Sequence, residues 1–255
     1  MREVLEKVAK GEITLEEAER LLKGLNIDEI AGLAKIDVNR DMRKGFPEII
    51  LAEGKEPADV ARIALNMVNG SGRAIVSRTN EEHLKEIEKI DEKSLNIEVN
   101  HRARIAILKK KNYLVTPNNG KVGILTAGTS DIPVAEEVRV IAAEMGCSVY
   151  SSYDAGVAGI HRLFPVVKKM IEEDVDVLVV IAGREGALPT VVSGLVDIPI
   201  VGVPTSIGYG YGGGGISALM SMLQACSMGI AVVNIDSGVA AGCIAALIAR
   251  RAHRG

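Results

Sequence analysis

IAGREGALPTVVSGLVDIPIVGVPTSIGYGYGGGGISALMSMLQAC, residues 181–226, decides how the chain folds. It contains two exits from apolar, β-rich runs, and a helical pattern follows each one. The first exit, Gly183-Arg184-Glu185-Gly186, sets a cation and a carboxylate side by side where a strand ends. The second, Pro204 to Gly215, holds six glycines, with Thr205, Ser206, Tyr209 and Tyr211 as its hydroxyls. Glycine has no Cβ, so such a loop turns tightly and brings backbone N–H groups close to a ligand. A helix that starts just beyond it aims its positive end at the same place, which suits phosphate.

Working outward, strand and helix patterns alternate from Lys121 to the C-terminus. Short apolar runs at 122–127, 148–153, 175–182, 198–203 and 230–235 read as strands buried on both faces. Helical patterns lie between and after them, at Pro133–Met145, Ala158–Glu173, Ala187–Val196, Ile216–Ser227 and Val239–His253. Five βα units predict an α/β fold, a doubly wound parallel sheet of flavodoxin-like strand order. In such sheets ligands bind beyond the carboxyl ends of the strands, at the switch point. The candidate binding residues are therefore Gly128, Thr129, Ser130, Asp131, Asp154, Gly156, Gly183, Arg184, Pro204, Thr205, Ser206, Gly208, Gly212, Gly213 and Asp236. His161 and Arg162, on the helix after Asp154, join them as holders of a carboxylate or phosphate. Plain structural roles stay open for several of these. Ser130 or Asp131 can cap a helix, Asp154 can sit in a turn, and Asp236 can cap the last helix. The first strand exit, Thr126-Ala127-Gly128-Thr129-Ser130, lacks GxGxxG, so no dinucleotide fingerprint of that kind is present.

The N-terminal part differs in kind. Of 63 charged residues, 42 lie in the first 120 positions and 21 in the last 135. A boundary near Lys109-Lys110-Lys111 to Gly120-Lys121 follows, giving a small α+β region over 1–120 and an α/β domain over 121–255. Residues 3–24 read as a helical hairpin. Thr14 and Glu17 form a capping box, Gly24 closes the second helix, and Leu15, Ala18, Leu21 and Leu22 make its packing stripe. Pro57 opens a further helix, 74–77 is a strand, Thr79 to Glu82 reads as a second capping box opening a helix to Asp91, and 104–107 alternates as a strand.

Composition excludes several classes. The chain has 47% hydrophobic and 25% charged residues with net charge −3, which fits a soluble protein and offers no field for nucleic acid or anionic membrane. It has no Trp and two Phe, few platforms for stacking single strands. The start of the chain carries no signal-peptide core, and its longest apolar stretch, 239–249, is too short to span a bilayer. Cys147, Cys226 and Cys243 are widely spaced and odd in number, which speaks against a disulfide framework or a zinc site and for a reducing cytoplasm.

Six segments carry a resemblance: RKGFPEIILAEGK (43–55), GILTAGTSDIPVAEE (123–137), YDAGVAGIHRL (153–163), REGALPTVVSGLV (184–196), VPTSIGYGYGGGGISAL (203–219) and LQACSMGIAVVNIDSG (223–238). The second resembles the strand-exit motif of the phosphoribosyl-aminoimidazole carboxylases, a group that includes the N5-carboxyaminoimidazole ribonucleotide mutases. Together the six resemble a paralogous family more closely. These are the pyridinium-3,5-biscarboxylic acid mononucleotide synthases of nickel-pincer nucleotide cofactor biosynthesis, the LarB family. The chain departs from it in the N-terminal hairpin and at Tyr211 to Gly215, which lacks the aromatic of the family's Ala-Ser-Phe-Gly.

The resemblance implies an enzyme that carboxylates the pyridinium ring of nicotinic acid adenine dinucleotide with CO2 or bicarbonate. It also implies hydrolysis of the phosphoanhydride, releasing AMP. Cys226 falls on the family's nucleophile and Glu185 on its acidic partner. Splitting the anhydride calls for a Mg2+ ion to neutralise the pyrophosphate, and a Gly/Ala-rich sheet with few aromatics is expected to bury further surface in a homo-oligomer. The chemistry requires such a pair, because an electron-poor pyridinium cannot attack CO2 until a nucleophile has added to the ring. Thiolate addition gives a nucleophilic enamine; a base then removes the ring proton and the thiolate leaves. Read alone, Cys226 has a simple alternative as a buried thiol at the C-terminal end of a helix, where the dipole disfavours a thiolate. Two other functions stay in view: a carboxyl-shifting mutase of aminoimidazole ribonucleotides, and a non-catalytic nucleotide-binding protein.

Overall fold

In the computed structural model, residues 2–22, 27–30, 34–37, 40–90 and 95–253 are described. The chain divides into two compact units, Met1–Val99 with Arg104–Leu114, and Asn100–Ala103 with Val115–Gly255.

The first unit begins with helices α1 (Arg2–Ala9) and α2 (Leu15–Leu22). The Thr14 capping box forms as read: the Glu17 carboxylate accepts from Thr14 N at 2.9 Å, and the Thr14 hydroxyl accepts from Glu17 N at 3.1 Å. Ala18 is buried but Leu15 is largely exposed, so the apolar stripe is narrower than its spacing suggests. Gly24 lies outside the described residues. An antiparallel pair, β1 (Ile27–Ile30) and β2 (Ala34–Asp37), precedes the short helix α3 (Arg40–Lys44). A four-stranded sheet follows from β3 (Ile49–Leu51), β4 (Arg73–Ser77), β5 (Leu95–Asn100) and β6 (Ile105–Lys110), in the order β3-β4-β6-β5. Helices α4 (Pro57–Ser71) and α5 (Glu81–Glu88) connect these strands, and Val60, Ala64, Val68, Val76, Ile87 and Leu108 share their core.

The second capping box sits one residue later than expected. Asn80, not Thr79, is the N-cap; its side chain accepts from His83 N at 2.9 Å, and the His83 ring accepts from Asn80 N at 3.2 Å. Adjacent Thr and Asn both suit a cap, and the partner three positions on decided between them. Asp91, the expected end of that helix, is not among the described residues.

The second unit is a parallel sheet of β7 (Lys121–Thr126), β8 (Ser148–Ser152), β9 (Val177–Ala182), β10 (Ile200–Pro204) and β11 (Ile230–Val232). Its order is β11-β10-β9-β7-β8, which from the other edge is the flavodoxin-like 2-1-3-4-5. Helices α6 (Ile132–Glu144) and α10 (Gly238–Ala252) cover one face, where Val138, Ala142, Ala241 and Ala245 meet Ile124, Val179 and Val203. Helices α7 (Leu163–Glu172), α8 (Leu188–Ser193) and α9 (Ile216–Leu223) cover the other, where Val167, Leu188, Val192 and Met222 meet Leu125, Leu178 and Val180. Alternate residues of each strand serve opposite faces, so both are apolar and the runs read as nearly continuous.

Two helical expectations change. The pattern from Ala158 opens as a 3-10 helix over Val157–Arg162, broken at Gly159, and becomes α-helical at Leu163. The pattern expected to run to Ser227 ends at Leu223, which leaves Cys226 in the loop before β11. No helix among the described residues is long and apolar enough to cross a membrane.

Candidate functional site

The order 2-1-3-4-5 puts the switch point between β7 and β9. A cavity of about 420 Å³ opens there, lined by Ala127 to Asp131 after β7, by Asp154 and Gly156 to Ala158 after β8, and by Ala182 to Glu185, Ala187 and Leu188 at and beyond the end of β9, with Ile207. Of the residues marked in the sequence, Gly128, Thr129, Ser130, Asp131, Asp154, Gly156, Gly183, Arg184 and Glu185 line it.

Close backbone approach explains two glycines at its rim. A Cβ on Gly156 would lie 2.6 Å from the Ala127 carbonyl oxygen. One on Gly183 would meet the Ile207 carbonyl oxygen and come within 2.6 Å of the Thr205 hydroxyl. The loop after β8 can pack against that after β7, and the loop after β9 against that after β10, only without side chains at those positions.

Asp131 ties the loops together. It is buried at the end of β7, where the Thr205 hydroxyl donates to one carboxylate oxygen at 2.7 Å and Gly128 N to the other at 2.9 Å. Its carboxyl is therefore no side-chain cap for α6; it closes the Gly128–Asp131 turn from within. Burial pushes its pKa up, the two hydrogen bonds pull it back, and the charge of Asp236 pushes it further up. Asp236, in turn, accepts from Ser206 N at 2.8 Å. Pro204, Thr205, Ser206 and Asp236 thus stand behind the cavity wall and hold the loops that form it.

At the mouth, the Arg162 guanidinium pairs with Asp154 at 3.0 Å, and Asp154 holds a left-handed φ of 59° while its N–H donates to Thr126 Oγ1. His161 does not line the cavity. Arg184, with φ 53°, donates to the Tyr209 hydroxyl at 2.8 Å and stacks over that ring at 4.9 Å. Gly208 backs Arg184, since a Cβ there would sit 3.7 Å from the Arg184 Cα; Gly212 lies against Ser217, and around Gly213 space is open. The apolar wall of Val157, Ala158, Leu188 and Ile207 went unmarked, because apolar residues beside a strand exit read as core in a sequence.

Cys226 lies elsewhere. Gly229, three residues on, accepts through its carbonyl from Ile200 N, the first residue of β10. The Cys226 loop therefore flanks the amino ends of the strands, while Glu185 follows the carboxyl end of β9. The five residues of β10 span roughly 16 Å between these edges. The Ser227 hydroxyl donates to the Thr190 carbonyl at 3.1 Å and fixes the loop against α8. The Cys226 thiol is exposed, whereas Cys147 and Cys243 are buried, and burial raises the Cys147 pKa.

The site does not form a cage for a resident divalent ion. No group of three His, Cys, Asp or Glu among the described residues is placed to hold one, and the carboxylates of Asp131 and Asp154 are already engaged.

Fold and site define a class: an α/β protein with a polar crevice of small-molecule size at the switch point of a parallel sheet. The AIR carboxylase family model matches residues 121–254, and the LarB/PurE-like N-terminal domain model matches residues 28–111. The chain belongs to the AIR carboxylase family and has the two-domain architecture of its LarB branch. It is similar to an uncharacterized protein of Methanocaldococcus jannaschii, 46% identical over 256 residues, covering 100% of this chain and 98% of the other. It is also similar to the N5-carboxyaminoimidazole ribonucleotide mutase of Thermotoga maritima, 29% identical over 50% of this chain and 74% of that protein. The mutase of the same name from Pyrococcus horikoshii is 30% identical over 49% of this chain and 69% of its own length.

Proposed function

We propose that the protein carboxylates the pyridinium ring of nicotinic acid adenine dinucleotide and hydrolyses the phosphoanhydride, giving pyridinium-3,5-biscarboxylic acid mononucleotide and AMP. The observation that carries this reading is the switch-point cavity. It joins a carboxylate, Glu185, and a cation, Arg184, to the turn of Gly128 to Asp131, in a chain with LarB-type architecture.

The backbone N–H groups of Thr129 and Ser130, in the turn whose Gly128 and Asp131 N–H groups bond within it, and the Arg184 guanidinium bind phosphate and carboxylate oxygens. A Cys226 thiolate adds to the ring and forms a C–S bond, and the ring becomes a dihydropyridine. Its enamine carbon bonds to CO2. Glu185 takes the proton from that carbon, the C–S bond breaks, and the aromatic cation is restored with the thiolate free again. Water then cleaves the phosphoanhydride. Magnesium enters only as the counter-ion of the substrate's pyrophosphate, where it neutralises charge.

Within one chain Cys226 and Glu185 are at opposite ends of the sheet, so the reading requires two copies, with the thiol of one reaching the cavity of another. The exposed side chains Ile216, Met220 and Leu223 give α9 an unpartnered i, i+4, i+7 stripe that leads toward Cys226 and the exposed Met228. A second copy is the occupant of that stripe, and the working protein is a homo-oligomer in the cytoplasm.

The test is incubation of the intact protein with the dinucleotide, bicarbonate and magnesium. AMP and a carboxylated mononucleotide are expected from the parent, and no carboxylated product from Cys226→Ala. Absence of AMP with the parent contradicts the reading. The relatives named as mutases favour a second one, carboxyl transfer on an aminoimidazole ribonucleotide, and that substrate belongs in a parallel reaction. The cavity lining contains no histidine to serve such a transfer, which ranks this reading second.

A further inference from the structure

The cavity is at the small end of ligand sites, which run to about 1,000 Å³. At about 420 Å³ it takes one half of a dinucleotide. Its lining includes no aromatic ring, so a purine finds no stacking partner inside. One ring lies just outside. Arg184 is a lining residue, and its guanidinium stacks on Tyr209 while bonding its hydroxyl. That pair fixes the start of the glycine loop at the cavity mouth.

Tyr211 follows two positions later and is fully exposed, in a chain with five Tyr, two Phe and no Trp. Around Gly210, Gly213 and Gly214 no atom beyond the chain neighbours stands within 4 Å of where a Cβ would be, so the loop that carries the ring is uncrowded. Gly210 has φ +65°, a left-handed conformation that a side chain resists, and it turns the chain between the two tyrosines.

We propose that Tyr211 is the purine platform of the site: the leaving nucleotide lies along the glycine loop with its adenine stacked on the Tyr211 ring, while Arg184, steadied by Tyr209, holds the phosphates at the mouth. This rests on the reading of the substrate as a nicotinate adenine dinucleotide and assigns its second half. Stacking one purine on one tyrosine corresponds to roughly a ten-fold gain in affinity.

The experiment titrates the full-length protein by calorimetry with the dinucleotide, with AMP and with nicotinic acid mononucleotide, for the parent, Tyr211→Ala and Tyr211→Phe. Tyr211→Ala is expected to weaken the dinucleotide and AMP about ten-fold and to leave the mononucleotide unchanged. Tyr211→Phe keeps the ring and is expected to bind as the parent does. Unchanged AMP affinity in Tyr211→Ala overturns the assignment, and so does equal weakening of all three ligands. A change in sedimentation with AMP affinity retained also overturns it, and places the ring between copies instead. A parent that binds AMP but neither nicotinate nucleotide removes the substrate reading and leaves a purine site. One that binds the nicotinate mononucleotide but not AMP removes the purine site alone, and one that binds none removes both.

Discussion

At the scale of single residues, two carboxylates in the second unit show opposite electrostatic designs. Glu136, on α6, has a side chain only 13% exposed, and that burial alone would raise its pKa. Hydrogen bonds from Arg139, Tyr153 and Asn100, at 2.6–3.0 Å, win instead and hold it at about 2. A depressed pKa adds stability that is complete above the unfolded value near 4.5 and fades as pH falls toward about 2. After discounting for solvent screening, Glu136→Gln is expected to lose on the order of 1–2 kcal/mol at neutral pH. Denaturant titrations at pH 7, 4 and 2.5 check this: the gap between parent and variant narrows across the acid range. Asp131 has the reverse sign. Its pKa is raised, so its proton is held more tightly in the folded state, and that contribution is present below pH 3.8 and lost as pH rises through the folded value. Asp131→Asn is therefore expected to gain stability relative to the parent as pH rises from 3.5 to 7, measured by the same titrations. An unchanging gap would show that the burial of this carboxyl has no electrostatic consequence.

At the scale of elements, α9 has one face on the sheet through Ala218 and Met222 and the other exposed through Ile216, Met220 and Leu223. Leu223→Lys puts a charge on that outer face without disturbing the inner one. It is expected to dissociate the oligomer and to cut carboxylation at least ten-fold, while the midpoint of thermal unfolding moves little beyond what dissociation causes. Sedimentation velocity and the product assay check both. Most of the elements were legible in the sequence. Continuous apolar runs with polar exits located β7 to β11, and Thr14 with Glu17 marked the start of α2. β5 was overlooked although Leu95-Asn96-Ile97-Glu98-Val99-Asn100 alternates apolar and polar with the period of a strand. The 3-10 turn before α7 was not legible, since a 3-10 segment shares the apolar spacing of the helix it precedes. The end of α9 was also missed. Gln224 and Ala225 are acceptable helix residues, and the chain leaves the helix there to enter β11, a tertiary demand that propensity does not encode.

At the scale of the molecule, strand order turned scattered polar residues into a site. Gly128 to Asp131, Asp154 and Gly183 to Glu185 converge because each follows a parallel strand beside the switch point, and this part was legible once five βα units were counted. The edge on which Cys226 sits was readable too: Cys226 precedes the run at 230–235 whereas Glu185 follows the run at 175–182, and in a parallel sheet those positions lie at opposite ends. The resemblance paired the two residues without regard to the edge. The proposed reaction therefore requires a shared site, with the thiol from one copy and the base from another. Cys226→Ala and Glu185→Gln are each expected to be inactive alone. The most direct measurement is the carboxylation rate of oligomers that contain both variants, made by co-expression with different tags and isolated by tandem affinity. In such an assembly a cavity that keeps Glu185 can meet a neighbour that keeps Cys226, and recovery of a substantial fraction of parent activity is the predicted result. Mixed oligomers as inactive as either variant alone, beside an active parent, would contradict it.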